Sequence, residues 1–415
     1  MMGGLTRKLK IELVSFQDGA DKQLHEKIRR FDEERSDIEV EIRERFTVFY
    51  DMGFSPWLVG KKGTGDPPDL IELTPNQMKV AFHHGKLETL NMDQPQLKDL
   101  VITSPDGYVI GVKSKINPLI MYYNQDTFLE LGLEAPSEDW DWAMLDNTIA
   151  ALKAARKNVY IMLSPSILEW VTMSRYGGHI VDTSGTMFSG YMDSEETIQA
   201  AEWLKWVGTR EEDYRLRTGF ANIQRYDPMP LDLIEGNMAL AIDFAHDLQI
   251  SRTSNFEAIV QRNDRVGIAP LPGGFDDVNV AHTAGLVIPA YSENKDLAME
   301  LLRYLTKDIE TYYEDILWYT LQANSSIELD NPRRISTLLL EMKRSIPTSL
   351  RMSEAQSHAR NFDHVASMRR AIMEGEPIKT ILEQKAQELD VQFALFLEDL
   401  ESYEECIMTR RRVCY

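Results

Sequence analysis

The sequence predicts an α/β protein built as two lobes, on three observations. The chain has 415 residues, more than one hydrophobic core usually organises, so its length favours two lobes or domains. Its first 85 residues alternate strand-like and helix-like runs joined by short links, the pattern of a mostly parallel sheet with helices on both faces. Its composition, 43% hydrophobic and 27% charged, is that of a folded chain able to bury a large core.

Each element follows from local pattern. Ile11 to Phe16 is an apolar strand, and Gln17-Asp18-Gly19 then offers a turn and a helix N-cap. Leu24, Ile28 and Phe31 recur at helical spacing and give the first helix one buried face. Ile38, Val40 and Ile42 alternate as the second strand, and Asp69 to Leu73 reads as the third after a Gly- and Pro-rich connection. Thr74 caps a helix with Pro75 at its first position, where the missing N–H loses nothing, and Gly85 stops it. Further on, amphipathic helices are predicted over 145–156 and 195–207, a buried strand over 238–242, a strand over 285–289 and a helix over 295–305. From Asp308 onward the pattern is nearly all helical. It ends in a long helix opened by Pro377 and lined by Ile378, Ile381, Leu382, Leu389, Phe393 and Leu397.

Charge narrows the function. A formal net charge of -21 argues against nucleic acid, whose phosphates need clustered Lys and Arg. The basic run Arg410-Arg411-Arg412 reads as a solvated tail. Cys406 and Cys414 are too few and too terminal for a metal cluster, a redox site or a disulfide scaffold, though they are free to pair. No stretch approaches the ~20 apolar residues of a membrane span, and Met1 to Gly4 lead into folded-looking sequence without a signal-peptide core. The expectation is a cytoplasmic protein or an exported one whose export segment is absent from this chain. The G-x-S-x-G elbow, the phosphate-binding P-loop and HExxH do not occur.

Seven stretches stand in a specific order. Gly65-Asp-Pro-Pro-Asp-Leu-Ile71 enters the third strand, and Asp106-Gly-Tyr-Val-Ile-Gly111 reads as a hairpin. Ile120-Met-Tyr-Tyr-Asn124 is followed by Phe128 and Leu131-Gly132, and Pro136 precedes Trp140-Asp141. Then come Glu235-Gly-Asn-Met-Ala-Leu-Ala241, Val266-Gly-Ile-Ala-Pro-Leu-Pro-Gly273 and the helix Ala298 to Leu305. Together they resemble the extracellular solute-binding proteins that serve carbohydrate ABC transporters, the class that contains the maltose-binding proteins. Ser137-Glu138-Asp139 departs from that family's usual Thr.

The resemblance implies a type II periplasmic-binding-protein-like fold, with hinge-linked lobes around a ligand cleft. Crossing strands are expected near residues 115–120 and 280–286, with a further crossing around 330–345. The N-terminal lobe would take 1–117 plus 283–335 and the C-terminal lobe 118–282 plus 336–415. It also implies a monomer without catalytic activity, cofactor or metal, whose partners are a sugar or oligosaccharide and the membrane permease subunits. Its place would be extracytoplasmic, in the periplasm or lipid-anchored on the outer face of the membrane.

A sugar presents apolar C–H faces and a ring of hydroxyls, so its site needs aromatic platforms together with carboxylates, amides and Arg. At strand-to-helix turns these types are Gln17 and Asp18, the latter equally suited to capping its helix, and Glu72, which a solvated strand end would also explain. Trp57 in a Gly/Pro loop and Trp170 near a helix start are the candidate platforms. Asp243, with capping as its alternative, and Phe244 follow the buried strand, and Trp318 and Arg351 come later. Trp203 and Trp206 read as packing residues, and of the adjacent Tyr122 and Tyr123 at most one side chain reaches a cleft. Adjacent tyrosines raise ferric iron as a ligand, but the eight histidines show no ligand spacing. The other readings are a receptor for a different polar solute such as a polyamine, which the acidity favours and the Trp candidates oppose, and a polysaccharide hydrolase with a carboxylate pair.

Overall fold

The computed structural model describes residues 6–15, 22–46, 58, 67–92, 95–161, 165–208, 229–245, 265–275, 277–321, 332–347 and 375–398. Strand β1 (Arg7–Ser15) lies between β2 (Ile38–Phe46) and β3 (Leu70–Leu73), parallel to both. Helix α1 (Lys22–Glu33) covers this sheet with the predicted face, since Leu24, Ile28 and Phe31 are buried against Leu9, Ile11 and Leu13. Each such aliphatic side chain contributes about 1.5–3 kcal/mol on burial.

Helix α2 (Pro75–His83) begins as its sequence dictates. The Thr74 hydroxyl accepts from the Gln77 N–H (3.3 Å) while the Gln77 side chain accepts from the Thr74 N–H (3.0 Å), so two otherwise orphaned donors are satisfied. Gly85 ends the segment at φ +65°, a conformation that costs glycine nothing.

The sheet is mixed, where local alternation predicts a mostly parallel one. Strand β5 (Val109–Asn124) pairs antiparallel with β9 (Asn279–Val287), and β9 pairs antiparallel with β3. Both intruders come from sequence remote from β1–β3, so a reading of neighbouring β-α units does not contain them. The remaining strands are β4 (Val101–Thr103), β6 (Asn158–Ile161), β7 (Met238–Phe244), β8 (Val266–Ala269) and β10 (Ser345–Pro347). The main strand order is β2-β1-β3-β9-β5-β7-β6.

Strand β5 serves two sheets in turn. Up to Pro118 it pairs with β9, and from Leu119 onward with β7 and β8. Strand β10 pairs with the start of β9, Ser345 opposite Asn279, directly after a helix over Pro332–Arg344, so a short strand stands where the sequence reading expects only helix. The segments expected as crossings near 115–120 and 280–286 fall on β5 and β9, and 330–345 falls on the helix Pro332–Arg344 that leads into β10.

Beyond the switch, α3 (Gln125–Glu130), α4 (Trp142–Ala154), α5 (Pro165–Tyr176), α6 (Glu195–Val207) and α7 (Met229–Glu235) surround the second sheet. Alternation along β5 sends Leu119 and Met121 into a core with α4–α6, and Ile120 and Tyr122 to the opposite face. Asn124 caps α3 by accepting from the Thr127 N–H (2.7 Å) and donates to the Leu233 carbonyl (2.6 Å), a structural role. Helices α8 (Lys295–Leu305), α9 (Ile309–Leu321) and α10 (Pro332–Arg344) pack on the first sheet and the crossing, and α11 (Ile378–Glu398) runs along the second lobe. No helix among the described residues is long and apolar enough to cross a membrane.

Candidate functional site

Strand directions place the site. Strand β3 runs the same way as β5, because each is antiparallel to β9, so β1, β2 and β3 all end facing the switch at Pro118–Leu119. Strand β7 is antiparallel to β5 with Phe244 opposite Leu119, so it and its parallel neighbour β6 end at the switch from the other side. The carboxyl ends of both strand sets thus confront each other across the crossing segments, the position where open α/β sheets hold ligands.

At the first edge, Glu72 on β3 is fully buried. Its carboxylate accepts from the Ser114 hydroxyl and from Lys115 Nζ (3.1 Å), and the Lys115 side chain is 12% exposed. Ser114 falls at a register shift of β5 between Lys113 and Lys115, which lets the bulged strand aim successive polar groups at one carboxylate. His25 on α1 stands 4.0 Å from Glu44, and burial, reinforced by Arg29, holds its pKa below the ordinary value. Nearby, Lys27 pairs with Asp315 at 2.6 Å, and the Tyr312 hydroxyl donates to the Lys113 carbonyl (2.8 Å).

The second edge is aromatic. Phe244 closes β7 and stacks on His282 of β9, ring centres 3.6 Å apart and planes 24° apart. Its carbonyl accepts from the Tyr122 hydroxyl (2.9 Å), and its N–H donates to the Asp243 carboxylate (2.9 Å). Behind it, Trp170 packs on Trp142 (4.9 Å) and Trp142 on Trp203 (5.3 Å). The Arg175 guanidinium lies over Trp142 and Trp203 while pairing bidentately with Asp146 at 2.8 and 2.9 Å.

The crossing itself is pinned by Glu341 of α10, whose side chain is fully buried. It accepts from Asn279 (2.5 Å), from the Leu271 N–H (3.1 Å) and from Arg344 (3.2 Å). Asn279 also donates to the carbonyl of Leu119 (2.8 Å), the first β5 residue beyond the switch. Burial lifts the Glu341 pKa to about 7 against the pull of Arg344. Lys113, which donates to the Ser345 carbonyl (3.2 Å), is pushed down to about 8 by the same cause.

The residues proposed from sequence separate accordingly. Glu72, Asp243 and Phe244 come to the confronting edges. Glu72 is not a solvated strand end, since its carboxylate is consumed by Ser114 and Lys115. Asp243 and Phe244 are 8% and 7% exposed. Trp170, expected as a platform, has no exposed surface and belongs to the core of the second lobe, because its position on α5 faces inward between α4 and α6. Gln17, Asp18, Trp57 and Arg351 lie outside the described residues, as do the cysteines, and of Trp318 only the backbone in α9 is described. Trp203 packs as expected, its indole N–H donating to Asp146 (2.8 Å), whereas Trp206 is 45% exposed.

Sequence pattern does not single out Ser114, Lys115, Asn279, His282 or Glu341. All five lie on or beside crossings the sequence reading marks, where other polar residues surround them and no local signal sets them apart.

Comparison with known proteins agrees with this geometry. The family model described as bacterial extracellular solute-binding protein matches residues 17–310. The galactooligosaccharide-binding protein of Bacillus subtilis (strain 168) is 25% identical over 272 residues, covering 62% of this chain and 60% of that protein. The maltodextrin-binding protein of the same organism is 23% identical over 308 residues, covering 71% and 69%. The chain thus matches less than two thirds of the length of the first of these relatives. Among solved structures, an ABC substrate-binding protein of Listeria monocytogenes in complex with cycloalternan superposes with a TM-score of 0.63 at 16% identity, covering 94% of this chain and 99% of that one. The sugar-binding protein MalE of Xanthomonas citri gives 0.63 at 15% identity, covering 97% and 100%. At such identities the structural likeness is one of fold, that of two-lobed solute-binding proteins. With the family model matching well over half of its length, the chain belongs to the bacterial extracellular solute-binding protein family.

Proposed function

We propose that this protein is the substrate-binding component of an ABC importer, which takes a sugar or oligosaccharide between its lobes and presents it to membrane permease subunits. The observation that carries this reading is the confrontation of two sets of strand carboxyl ends across three crossing segments, an arrangement that encloses a ligand and releases it by bending at the crossings. Family membership supports an extracytoplasmic place of action. The curated relatives are named for galactooligosaccharide and maltodextrin binding, which favours an oligosaccharide over a free ion or amino acid.

The chemistry of the edges suits such a ligand. Lys115, held by Glu72, and the polar groups around it offer hydrogen bonds to hydroxyls, while the Phe244–His282 stack borders the second side with apolar ring surface. We read Glu72 as positioning Lys115 and the Trp170 cluster as stiffening the second lobe; Gln17, Asp18, Trp57, Trp318 and Arg351 complete the proposed site. The lobe boundaries expected from the sequence, 1–117 plus 283–335 and 118–282 plus 336–415, are proposed as the moving units. The protein acts as a monomer that returns its ligand unchanged.

Titration calorimetry against maltodextrins, galactooligosaccharides and a wider glycan panel tests this. Saturable binding of at least one saccharide, with no product formed on prolonged incubation, is the expected result. Binding of a polyamine and of no saccharide would replace the ligand class, and turnover of a polysaccharide would replace the receptor by a hydrolase.

A further inference from the structure

The buried carboxylate of Glu341 on α10 reaches the aromatic edge through a single amide. One of its oxygens accepts from Asn279 Nδ2, and the other accepts from the Leu271 N–H and from Arg344. Asn279, also buried, gives the second hydrogen of that nitrogen to the Leu119 carbonyl (2.8 Å), and its Oδ1 accepts from the Val280 N–H (2.7 Å). Two acceptors on its nitrogen and one donor on its oxygen therefore fix the orientation of this amide. Both routes onward from Asn279 end at Phe244. Leu119 stands opposite Phe244 in the β5–β7 pairing, and Asn279 opens β9, which three residues on carries His282, stacked on the Phe244 ring. Glu341 touches neither ring, but it holds the two strand segments that bring the rings together.

Each group that contacts this carboxylate is a donor, so the network suits the ionised form. A protonated carboxyl carries a hydrogen of its own and needs an acceptor for it. Turning over the Asn279 amide supplies one, but it sets Oδ1 against the Leu119 carbonyl and Nδ2 against the Val280 N–H, and both links are lost together. Among the described residues, few other charges surround the site. On α10, Arg344 also pairs with Asp277 of the loop before β9 (3.0 Å), and Lys343 turns to Glu310 of α9 (2.7 Å). From β5, Lys113 ends on the Ser345 carbonyl, while β8 and β10 carry no charged residue. His282 lies on the opposite side of β9 from Asn279 by alternation.

We propose that Glu341 is a positioning residue for the aromatic edge, whose ionised form holds Asn279 between Leu119 and β9, sets the Phe244–His282 stack, and so makes saccharide affinity depend on pH. The proposal rests on the receptor reading, since it concerns the ring surface offered to a sugar. Burial raises the Glu341 pKa to about 7, which puts the change near neutrality. Affinity is highest with the carboxylate ionised and falls as pH drops through that value. Fold stability answers the same proton in the opposite sense, because burial favours the neutral acid.

The test is titration calorimetry with a maltodextrin and with a galactooligosaccharide mixture from pH 5 to 8, on the parent, Glu341→Gln and Asn279→Ala. Glu341→Gln is a neutral stand-in for the protonated acid. Histidines such as His25 and His282 can add a pH response of their own, so the quantity read is the gap in affinity between the parent and Glu341→Gln. That gap is expected to open from near zero at pH 5 to several-fold at pH 8, with the parent the tighter binder. Asn279→Ala cuts the link to Leu119 and is expected to bind as weakly as Glu341→Gln; it carries the test should the latter fail to fold. A gap that stays constant across the range marks a merely structural residue and overturns the proposal, as does a gap that never opens or an Asn279→Ala chain that keeps the parent's pH response. In each of those outcomes the sugar reading survives. No saccharide bound by any chain at any pH removes the sugar reading, and this proposal with it.

Discussion

The two edges that face the crossing are built from different chemistry. The first lobe presents charges in pairs, Glu72 with Lys115 and Lys27 with Asp315, whose partners lie far apart in sequence. The second lobe presents rings, with Phe244 on His282 at the edge and Trp142, Trp170 and Trp203 behind them. A pyranose needs both kinds of surface, hydrogen bonds around its rim and an apolar face. On the proposed reading the lobes divide the recognition of a sugar, and neither edge alone meets the whole demand.

That division breaks most visibly at Trp170. Truncating a fully buried indole leaves a large cavity, so Trp170→Ala is expected to lower unfolding free energy by about 3–5 kcal/mol, read as a drop in the urea midpoint. A variant that keeps its stability and loses only ligand affinity would move the ring from core to crevice. On the charged edge, Glu72→Ala leaves the Lys115 ammonium largely buried without its carboxylate and should cost about 3 kcal/mol. The double variant Glu72→Ala/Lys115→Met should recover much of that loss, which equilibrium unfolding of the set will show.

Between the edges, Glu341 gives the crossing a pH dependence of definite sign. Its pKa stands near 7 in the folded chain, against 4.5 for a glutamate carboxyl in water. The folded state therefore binds the extra proton, and the stability it contributes is present below pH 4.5 and lost as pH rises through 7. The shift corresponds to at most about 3 kcal/mol. Thermal unfolding from pH 5 to 8 should show the parent losing stability relative to Glu341→Gln, and a constant difference would refute the shift. The smallest effect on binding is expected at the aromatic edge, where Phe244→Ala should weaken saccharide binding by about 1–2 kcal/mol, since this ring is buried with only its rim open to a ligand, with calorimetry as the readout.

Much of this architecture is written locally. The helices Glu195–Val207 and Lys295–Leu305 begin and end where the sequence pattern places them, and Thr74-Pro75 announces α2. What local pattern does not hold is partnership across the chain. Strand β5 reads as two separate pieces, a hairpin arm and an apolar run, because its continuity depends on β9 and β7 lying beside it. Ser345–Pro347 becomes a strand only because Asn279–Ala281 lies alongside. Glu341 is one acid among 66 until Asn279 and the Leu271 N–H are brought to it. Trp170 escapes local reading for a related reason: near a helix start its direction is set by α4 and α6, which the segment itself does not encode.

The most direct test of the central claim is a crystal structure of the protein with a bound saccharide. The sugar is expected enclosed at the crossing, hydrogen-bonded on the Lys115 side and against the Phe244–His282 ring surface on the other. A saccharide bound on an outer face, with the space between the two strand edges closed to it, would contradict that claim.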